Sequence, residues 1–497
     1  MTAERHSTSS FRPASVILAA AAAVALAIAP VGGMSRLAVR RQSPGFPAGT
    51  RVMVLAPHAD DESLATGQLI AAARRDGLPV SVVFLTNGDG FTRAAEETLA
   101  DSGGLPDPSE YLELAQTRQV EARAAAAALG VPDGNLFFLG YPDRGLKEML
   151  VEHWSAAAPY RSPYTGRSTS PYPDSHHQAA PYAGETLLED LEELMATFHP
   201  TLLAIPHPDD LHSDHWATSV FGRLAVLRLV AQGRLTSPGP RLLDYVVHAG
   251  PWPWPPWPAP YLPLTAPQSL ATSGTVWEFR PGDRLSRHQK ELAIASYRTQ
   301  LKVSRGYLGA FDRANELIGE VSPSAISSDG RPIQVANPWT GAAVGRRAGT
   351  ADWSRATLTW DGKGLGVRLQ LTSRPRRGSV YRIYLYSPLG TARGAEPGPA
   401  RGAEPDEQPA SAPGSPSRLV VEVAANGGFR AVLRDLERGT EETVPAEVGK
   451  GGRSVSLRVP FEERALPCYV GFEGASGAPE TRPATWSLLV TRKASPS

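Results

Sequence analysis

Apolar residues recur with two different periods along the chain. Between residues 51 and 304, short continuous apolar runs alternate with segments whose apolar positions repeat every three or four residues, as in buried strands and amphipathic helices. The predicted strands cover residues 51–56, 80–85, 136–139, 201–205 and 241–247. The predicted helices cover residues 64–75, 110–129, 184–198, 214–231 and 283–304. Strands that alternate with helices predict an α/β fold with a doubly wound, mostly parallel, Rossmann-like sheet.

Beyond residue 335 the period changes to two, which is typical of strands with one buried face. The segments with this period cover residues 357–360, 366–371, 380–386, 418–423, 429–433, 454–459 and 486–490. They predict an all-β sandwich. We therefore expect an α/β domain over residues 49–330 and a β-sandwich accessory domain over residues 335–497. Within the latter, residues 390–417 are rich in Pro, Ala and Gly and are expected to form a disordered loop.

Residues 1–48 have the features of a signal peptide or membrane anchor followed by a linker. Arg5 and Arg12 precede an apolar run from residue 14 to residue 29, as export signals require. Ala25-Leu26-Ala27 could serve as a cleavage site. Cleaved and anchored forms both remain open. We expect an exported or membrane-anchored protein on the extracytoplasmic side.

The charge and cysteine content exclude several classes of protein. The chain has 50 Lys+Arg and 50 Asp+Glu residues, so no net positive field would recruit nucleic acid, and no nucleic-acid partner is expected. The single cysteine, Cys468, excludes an internal disulfide framework and a thiolate metal cluster. Any metal site must therefore use nitrogen and oxygen ligands.

Two segments rich in His and Asp follow predicted strands. Residues 58–62 read His-Ala-Asp-Asp-Glu, and residues 207–215 read His-Pro-Asp-Asp-Leu-His-Ser-Asp-His. Open α/β sheets bind ligands at the carboxyl ends of their strands, so the two segments converge if their strands are neighbours. His58, Asp61 and His215 then supply three ligands and leave one position open, as in catalytic metal sites. Helix capping by the adjacent aspartates explains one of them but not the whole cluster.

These residues resemble the PIG-L, or LmbE-like, family of zinc-dependent de-N-acetylases, which carries a His-Pro-Asp-Asp-Glu signature and a later His-x-Asp-His. The likeness extends over roughly residues 49–304 and includes Leu-Gly-Tyr-Pro-Asp at residues 139–143. Ala59 replaces the usual proline, which changes backbone stiffness but no chemical group. The resemblance implies that His58, Asp61 and His215 hold Zn²⁺, with Fe²⁺ as the alternative. It also implies that Asp60 is the general base acting on the metal-bound water.

His212 and Asp214 are the other predicted catalytic residues. Asp214 would hold His212 as an imidazolium, which could stabilise the oxyanion and protonate the leaving amine. Asp143 is similar to the family's substrate-contacting acid, although a turn role fits it equally well.

Two further residues are weaker candidates for substrate contacts. Arg118 lies three positions before Glu121 on a predicted helix, so an intrahelical ion pair is the preferred interpretation. His248 ends a predicted strand and is a modest site candidate. His176 and His177 are expected in a solvated loop.

The sequence predicts removal of an N-acetyl group from an N-acetylglucosamine-type substrate in a glycan, glycolipid or small glycoside. Two alternatives stay open. One is an amidase for a larger acyl group or a non-sugar amide, because the same metal machinery attacks any positioned carbonyl. The other is a glycan-binding protein with an idle metal centre, although every ligand, acid and base position is filled.

Overall fold

A computed structural model describes residues 39–41, 45–98, 105–339, 353–375, 377–387, 417–425, 428–436, 439–460, 469–474 and 484–492, all within one compact unit, Ala38–Ser497. The apolar run of residues 14–29, the predicted disordered loop except residue 417, and Cys468 lie outside the described residues. Export and loop disorder therefore stay predictions. Within the described ranges, no helix combines the length and the apolar character needed to cross a bilayer.

A sheet of eight strands forms the scaffold of the α/β part. Its strands are β1 (Val39–Arg41), β2 (Val52–Ala56), β3 (Val80–Thr86), β4 (Leu136–Tyr141), β5 (Leu202–Pro206), β6 (Arg241–Tyr245), β7 (Thr275–Pro281) and β8 (Asn315–Val321), in the order β1-β7-β8-β6-β5-β2-β3-β4. The strands from β6 to β4 in this order are parallel, whereas β8 runs antiparallel to β6 and β7. The chain winds to one side from β2 and to the other from β5. The carboxyl ends of these two neighbours therefore form a topological switch point, where ligands bind in such sheets.

Helices cover both faces of this sheet. They are α1 (Asp61–Arg75), α2 (Thr92–Thr98), α3 (Pro108–Ala128), α4 (Leu146–Val151), α5 (Gly184–Phe198), α6 (Ser213–Ala231), α7 (Arg284–Ser296) and α8 (Arg298–Gly309). Met53 and Leu55 pack with α4, α5 and α6, while Val52 and Val54 pack with α1, α3, α7 and α8. Successive side chains of a strand point to opposite faces, so these continuous apolar runs bury both faces. The predicted doubly wound arrangement is therefore found.

The predicted single helix over residues 283–304 is divided in the structure. The chain leaves helical geometry at Tyr297 (φ −81°, ψ 67°), where α7 ends and α8 begins. Tyr297 is buried at this break, and its hydroxyl donates a hydrogen bond to Glu62 beside the switch point. The sequence also does not predict β7 and β8, because charged residues such as Glu278 and Glu316 interrupt their apolar residues.

The C-terminal strands form two sheets. They are β9 (Ser324–Ser327), β10 (Ile333–Ala336), β11 (Trp353–Trp360), β12 (Gly364–Leu371), β13 (Ser379–Ser387), β14 (Ser417–Ala425), β15 (Phe429–Asp435), β16 (Thr440–Val444), β17 (Ala446–Val448), β18 (Ser454–Pro460), β19 (Tyr469–Glu473) and β20 (Ala484–Arg492). The sheet orders are β10-β11-β12-β18-β17 and β16-β15-β14-β13-β19-β20-β9, antiparallel except for β20 and β9. Side chains from both sheets, such as Val367 and Ile383, share one buried core, as in a sandwich. The position of the boundary between the two predicted domains stays a prediction.

The seven-stranded sheet also packs against the α/β part. Tyr384 of β13 belongs to the core beneath α4, α5 and α6. Lys147 of α4 forms a buried ion pair with Glu473 of β19. Arg418 of β14 donates a hydrogen bond of 2.6 Å to the carbonyl oxygen of Leu150. Helix α4 is therefore held between the eight-stranded sheet and the seven-stranded sheet.

Candidate metal centre

The turn between β2 and α1 carries the first cluster of candidate residues. Asp60 has a φ of 137°, a left-handed value that glycine adopts at lower cost. The carbonyl oxygen of Ala59 accepts hydrogen bonds of 2.9 Å from Arg118 Nη2 and from Gln300 Nε2. Helices α3 and α8 therefore hold this turn in place. Strain that is supported in this way is found mostly at functional sites.

Asp61 lies between the two predicted histidine ligands. Its Oδ2 is 3.2 Å from His58 Nδ1 and 3.2 Å from His215 Nε2, and all three side chains are almost completely buried. Burial alone would raise the pKa of Asp61, but His215 and His58 lower it well below its usual value. The structure thus brings together the three side chains on which the predicted metal site depends.

Asp210 stands behind His215. Its Oδ2 lies 3.4 Å from His215 Nδ1, and its two oxygens accept hydrogen bonds from three backbone N–H groups that follow β5 and β6. Burial alone would lower the pKa of His215, but Asp61 and Asp210 raise it to about 9. A carboxylate placed behind an imidazole fixes the orientation of the ring, as it does for histidines that bind metals.

Two more carboxylates face the other nitrogen of His58. Its Nε2 lies 3.2 Å from Asp143 Oδ1 and 3.3 Å from Asp214 Oδ2. Although burial would lower the pKa of His58, Asp143, Asp214 and Asp61 raise it well above its usual value. An imidazole offers at most two N–H donors to these three carboxylates. The cluster therefore favours positive charge at its centre, which a bound cation supplies.

The available donors fit a divalent transition-metal ion. Both ring nitrogens of His215 are buried and face carboxylates, Asp61 at Nε2 and Asp210 at Nδ1, without well-aligned hydrogen bonds. Imidazole nitrogens combined with carboxylate oxygens suit Zn²⁺ and Fe²⁺ better than Ca²⁺ or Mg²⁺. His58, His212 and His215 can place ligand atoms within 4.8 Å of one another, as can Asp61, His215 and His248. The predicted ligands thus belong to a larger group of metal-binding side chains.

The predicted ion pair between His212 and Asp214 is not found. His212 Nδ1 accepts a hydrogen bond of 3.2 Å from the backbone N–H of Asp214. The Asp214 carboxylate instead accepts hydrogen bonds from the backbone N–H groups of Arg144 (2.6 Å) and Leu146 (3.1 Å) and faces His58. Burial and the charge of His58 lower the pKa of His212 well below its usual value. His212 is therefore a neutral ring with its proton on Nε2, not the expected imidazolium.

Arg118 and Glu121 also do not form the predicted intrahelical pair. Arg118 Nη1 donates to the carbonyl oxygen of Gly88 (2.9 Å), and Nη2 lies 3.8 Å from Asp60 Oδ2. Glu121 instead accepts hydrogen bonds from the backbone N–H and hydroxyl of Thr299 (2.9 and 2.6 Å). Tertiary contacts have replaced the local pair. Arg118 lines the cleft, which is the position that its alternative role as a substrate contact requires.

Asp143 and His248, the other predicted substrate contacts, line the same cleft. Asp143 Oδ2 accepts a hydrogen bond of 3.0 Å from the backbone N–H of Gly90, and its own backbone N–H donates to Asp89 (2.9 Å). His248 Nδ1 lies 3.2 Å from the Tyr307 hydroxyl, and burial lowers the pKa of His248 to about 4. Asp143 thus serves as both a turn residue and a site residue.

The cleft above the cluster has a cavity volume of about 180 Å³. Asp60, Arg118 and Arg144 are charged residues of its lining, and Phe91 and Tyr307 are aromatic ones. The Asp60 side chain makes no capping hydrogen bond to α1 within the described residues, so the capping alternative does not apply to it. Burial and the neighbouring Asp61 carboxylate raise the pKa of Asp60 to about 8.

Several residues of the site were not predicted from the sequence, among them Asp210, Asp89 and Tyr307. Asp210 lies inside the recognised segment of residues 207–215, where a second carboxylate beside a histidine was a usable signal. Asp89 follows β3 in a Gly-Asp-Gly turn, which was a weaker signal at a neighbouring strand end. Tyr307 lies beyond the predicted end of its helix and gave no signal.

Comparison with known proteins identifies the family of this region. Residues 53–226 match the profile of PIG-L, described as GlcNAc-PI de-N-acetylase. Residues 53–226 are a PIG-L domain. The match contains His58, Asp61 and His215, whereas His248 and Tyr307 lie after it.

Among curated relatives, the 1D-myo-inositol 2-acetamido-2-deoxy-alpha-D-glucopyranoside deacetylase of Actinosynnema mirum is 40% identical over 96 residues. This match covers 19% of the present chain and 30% of the relative, so the chain spans less than a third of that protein. Similar solved structures include a conserved protein of Thermus thermophilus, with 22% identity, a TM-score of 0.30, and coverage of 53% of this chain and 84% of that one. Another is the N,N'-diacetylchitobiose deacetylase of Pyrococcus horikoshii, with 18% identity, a TM-score of 0.31, and coverage of 52% and 75%.

Proposed function

We propose that the protein is a zinc-dependent hydrolase that removes the acetyl group from an N-acetylglucosamine-type substrate. One observation carries the proposal. Asp61 Oδ2 lies 3.2 Å from an imidazole nitrogen of His58 and 3.2 Å from one of His215, beside the cleft. The PIG-L domain over residues 53–226 supports the same activity, as does the deacetylase relative.

His58, Asp61 and His215 would hold the ion, with Fe²⁺ as the alternative metal. When bound, the ion supplies a Lewis acid that polarises the amide carbonyl and makes water more acidic. Asp60 lines the cleft next to this cluster. A cation beside it would favour its ionised form, and in that form its carboxylate takes the proton of the attacking water. The water oxygen bonds to the carbonyl carbon.

The remaining steps use His212 and Asp60. His212 carries its proton on Nε2 because Nδ1 accepts the Asp214 N–H. This N–H stabilises the negative charge that develops on the carbonyl oxygen. The bond between carbon and nitrogen then breaks, and the proton held by Asp60 passes to the leaving amine, which yields acetate and a free amino sugar.

Release of acetate from a panel of N-acetylated glycosides tests this proposal. We expect release by the wild type and a loss of about 10²- to 10⁴-fold in Asp60→Asn. Asn is the matched substitution, because it tolerates the left-handed backbone while removing the charge. Asp133→Asn, an exposed change in the same domain, should leave the rate unchanged.

Equal release by Asp60→Asn and the wild type would overturn the role of Asp60. Release of longer acyl chains but not acetate would support the amidase alternative, and no release from any substrate would support the idle glycan-binding protein.

A further inference from the structure

A second group of metal-binding side chains lies away from the cleft. It consists of His176, His177 and Glu193, here called the loop cluster. The two histidines belong to the segment of residues 155–182 between α4 and α5, and Glu193 projects from α5. These residues can place one ligand atom each within 4.8 Å of one another.

The spacing in the loop cluster is that of ligands around one ion. His176 Nε2 lies 3.5 Å from Glu193 Oε1, and His177 Nε2 lies 3.6 Å from Glu193 Oε2. Ligand atoms bound at about 2.0–2.2 Å to a tetrahedral Zn²⁺ ion stand roughly 3.3–3.6 Å apart. One ligand atom from each residue lies within 4.8 Å of the others, so side-chain movements of roughly 1 Å bring the set to the spacing around an ion.

The histidines of the loop cluster are oriented by groups behind them. His177 Nδ1 lies 2.7 Å from Oδ1 of the buried Asp190, whose Oδ2 accepts a hydrogen bond of 2.8 Å from the Tyr141 hydroxyl. A carboxylate that holds Nδ1 leaves the lone pair of Nε2 available for a metal. His176 Nε2 is buried and makes no hydrogen bond with a described residue. The backbone N–H of His176 donates a hydrogen bond to the carbonyl oxygen of Phe138 in β4, which fixes the backbone position of the first of the two histidines.

We propose that the loop cluster binds a zinc-type divalent ion through two imidazole nitrogens and one carboxylate, with water completing the coordination. Two nitrogen donors select Zn²⁺ and similar transition metals over Ca²⁺ and Mg²⁺. The site is independent of the proposed deacetylation.

The ion would fasten the segment of residues 155–182 to α5. The same segment carries Tyr172, whose hydroxyl donates a hydrogen bond of 2.7 Å to Asp89. Asp89 in turn accepts the backbone N–H of Asp143 in the cleft. A metal at the loop cluster therefore stabilises a wall of the cleft without touching the substrate.

The test is a count of zinc ions bound by the full-length protein. After removal of metal with a chelator, zinc is titrated against a chromophoric competitor, and we expect two ions per chain. His177→Ala and Glu193→Gln should each reduce the count by one. His288→Ala and Glu291→Gln are matched controls, since they alter another His–Glu pair, 3.3 Å apart and exposed on α7, and should keep both ions.

Three outcomes would overturn the loop site. They are a single wild-type ion that Asp61→Asn removes, an unchanged count in His177→Ala and Glu193→Gln, and a second ion that binds only at about millimolar zinc, which would be an adventitious ion only. Acetate release is measured on the same samples. Absence of acetate release with a loop ion that His177→Ala removes would be a failure of the proposed deacetylation alone, and acetate release without that ion would be a failure of the loop site alone.

Discussion

The cleft cluster of His58, Asp61 and His215 and the loop cluster use the same chemical groups in different surroundings. Each places imidazoles against a carboxylate, and each has a buried aspartate behind one histidine, Asp210 in the cleft and Asp190 at the loop. The side chain of His215 is fully buried, whereas the side chain of His177 is 50% exposed. The cleft cluster also has Asp60 beside it and a cavity above it.

This difference separates binding from catalysis. Several carboxylates converge on the cleft cluster, and Asp60, the proposed base, lines the cleft that a substrate would enter. The loop cluster links a connecting segment to a helix, and its supporting aspartate is also hydrogen-bonded to Tyr141. We therefore expect the first ion to act on a substrate and the second to hold the fold together.

The largest expected effect comes from Asp61→Asn. Loss of the charge between the two imidazoles should remove the cleft ion and reduce acetate release to background, while the loop ion remains. Zinc per chain and acetate release measure the two effects separately. Asp60→Asn is the control, since it should lose activity and keep both ions. Full zinc content in Asp61→Asn would show that the cleft ligands are wrongly assigned.

The next largest effect is expected from Glu473→Gln. This change removes a buried carboxylate that pairs with Lys147, and breaking such a pair typically costs about 3–5 kcal/mol. Leu146, the first residue of α4, donates its backbone N–H to Asp214 in the cleft. Loosening of α4 should therefore lower zinc affinity in the cleft and leave zinc affinity at the loop cluster unchanged. Denaturant unfolding and zinc titration provide the measurements. The exposed change Asp361→Asn in the same sandwich should alter neither quantity, and unaltered stability of Glu473→Gln would contradict the prediction.

The aspartates behind the histidines, Asp210 in the cleft and Asp190 at the loop, should each have a smaller effect on zinc affinity. Asp210→Asn should weaken zinc binding in the cleft by about 10- to 100-fold, and Asp190→Asn should do the same at the loop. Neither change should affect the other ion, which zinc titration of each variant checks. Equal weakening of both ions by either substitution would indicate general destabilisation instead of local positioning.

The smallest effect is expected from Asp60→Gly. Glycine adopts the φ of 137° without the strain of a side chain, so the free energy of unfolding should rise by about 1 kcal/mol. Acetate release should nevertheless be lost. Thermal unfolding of Asp60→Gly beside Asp60→Asn isolates the backbone contribution. A Gly variant that is less stable than the Asn variant would show that the turn is not strained.

Much of the α/β scaffold and its site was accessible from the sequence because the signals are local. The carboxyl ends of β2 and β5 carry His58, Asp61 and His215 in short recognisable segments, and parallel strands bring such ends together. The roles of Arg118 and Asp214 were not accessible, since each depends on which distant backbone groups the side chain meets. Local spacing favoured a helix pair for Arg118, but the carbonyl of Gly88 holds it instead.

In the sandwich, too, local features were predictable from the sequence and contacts between distant residues were not. Its seven predicted strands are present as β11 to β15, β18 and β20, because period-two alternation is a local property. Its attachment to α4 through Lys147 and Glu473 joins residues 326 positions apart. No sequence period reports such a contact.

Anomalous diffraction at the zinc edge, from crystals of the full-length protein grown with zinc, locates the ion and so tests the proposed ligands His58, Asp61 and His215. We expect a peak bonded at about 2.0–2.2 Å to His58, Asp61 and His215 together. A cleft peak bound instead by the neighbouring set of His58, Asp143 and Asp214, which can also converge on one point, or no peak in the cleft, would contradict it.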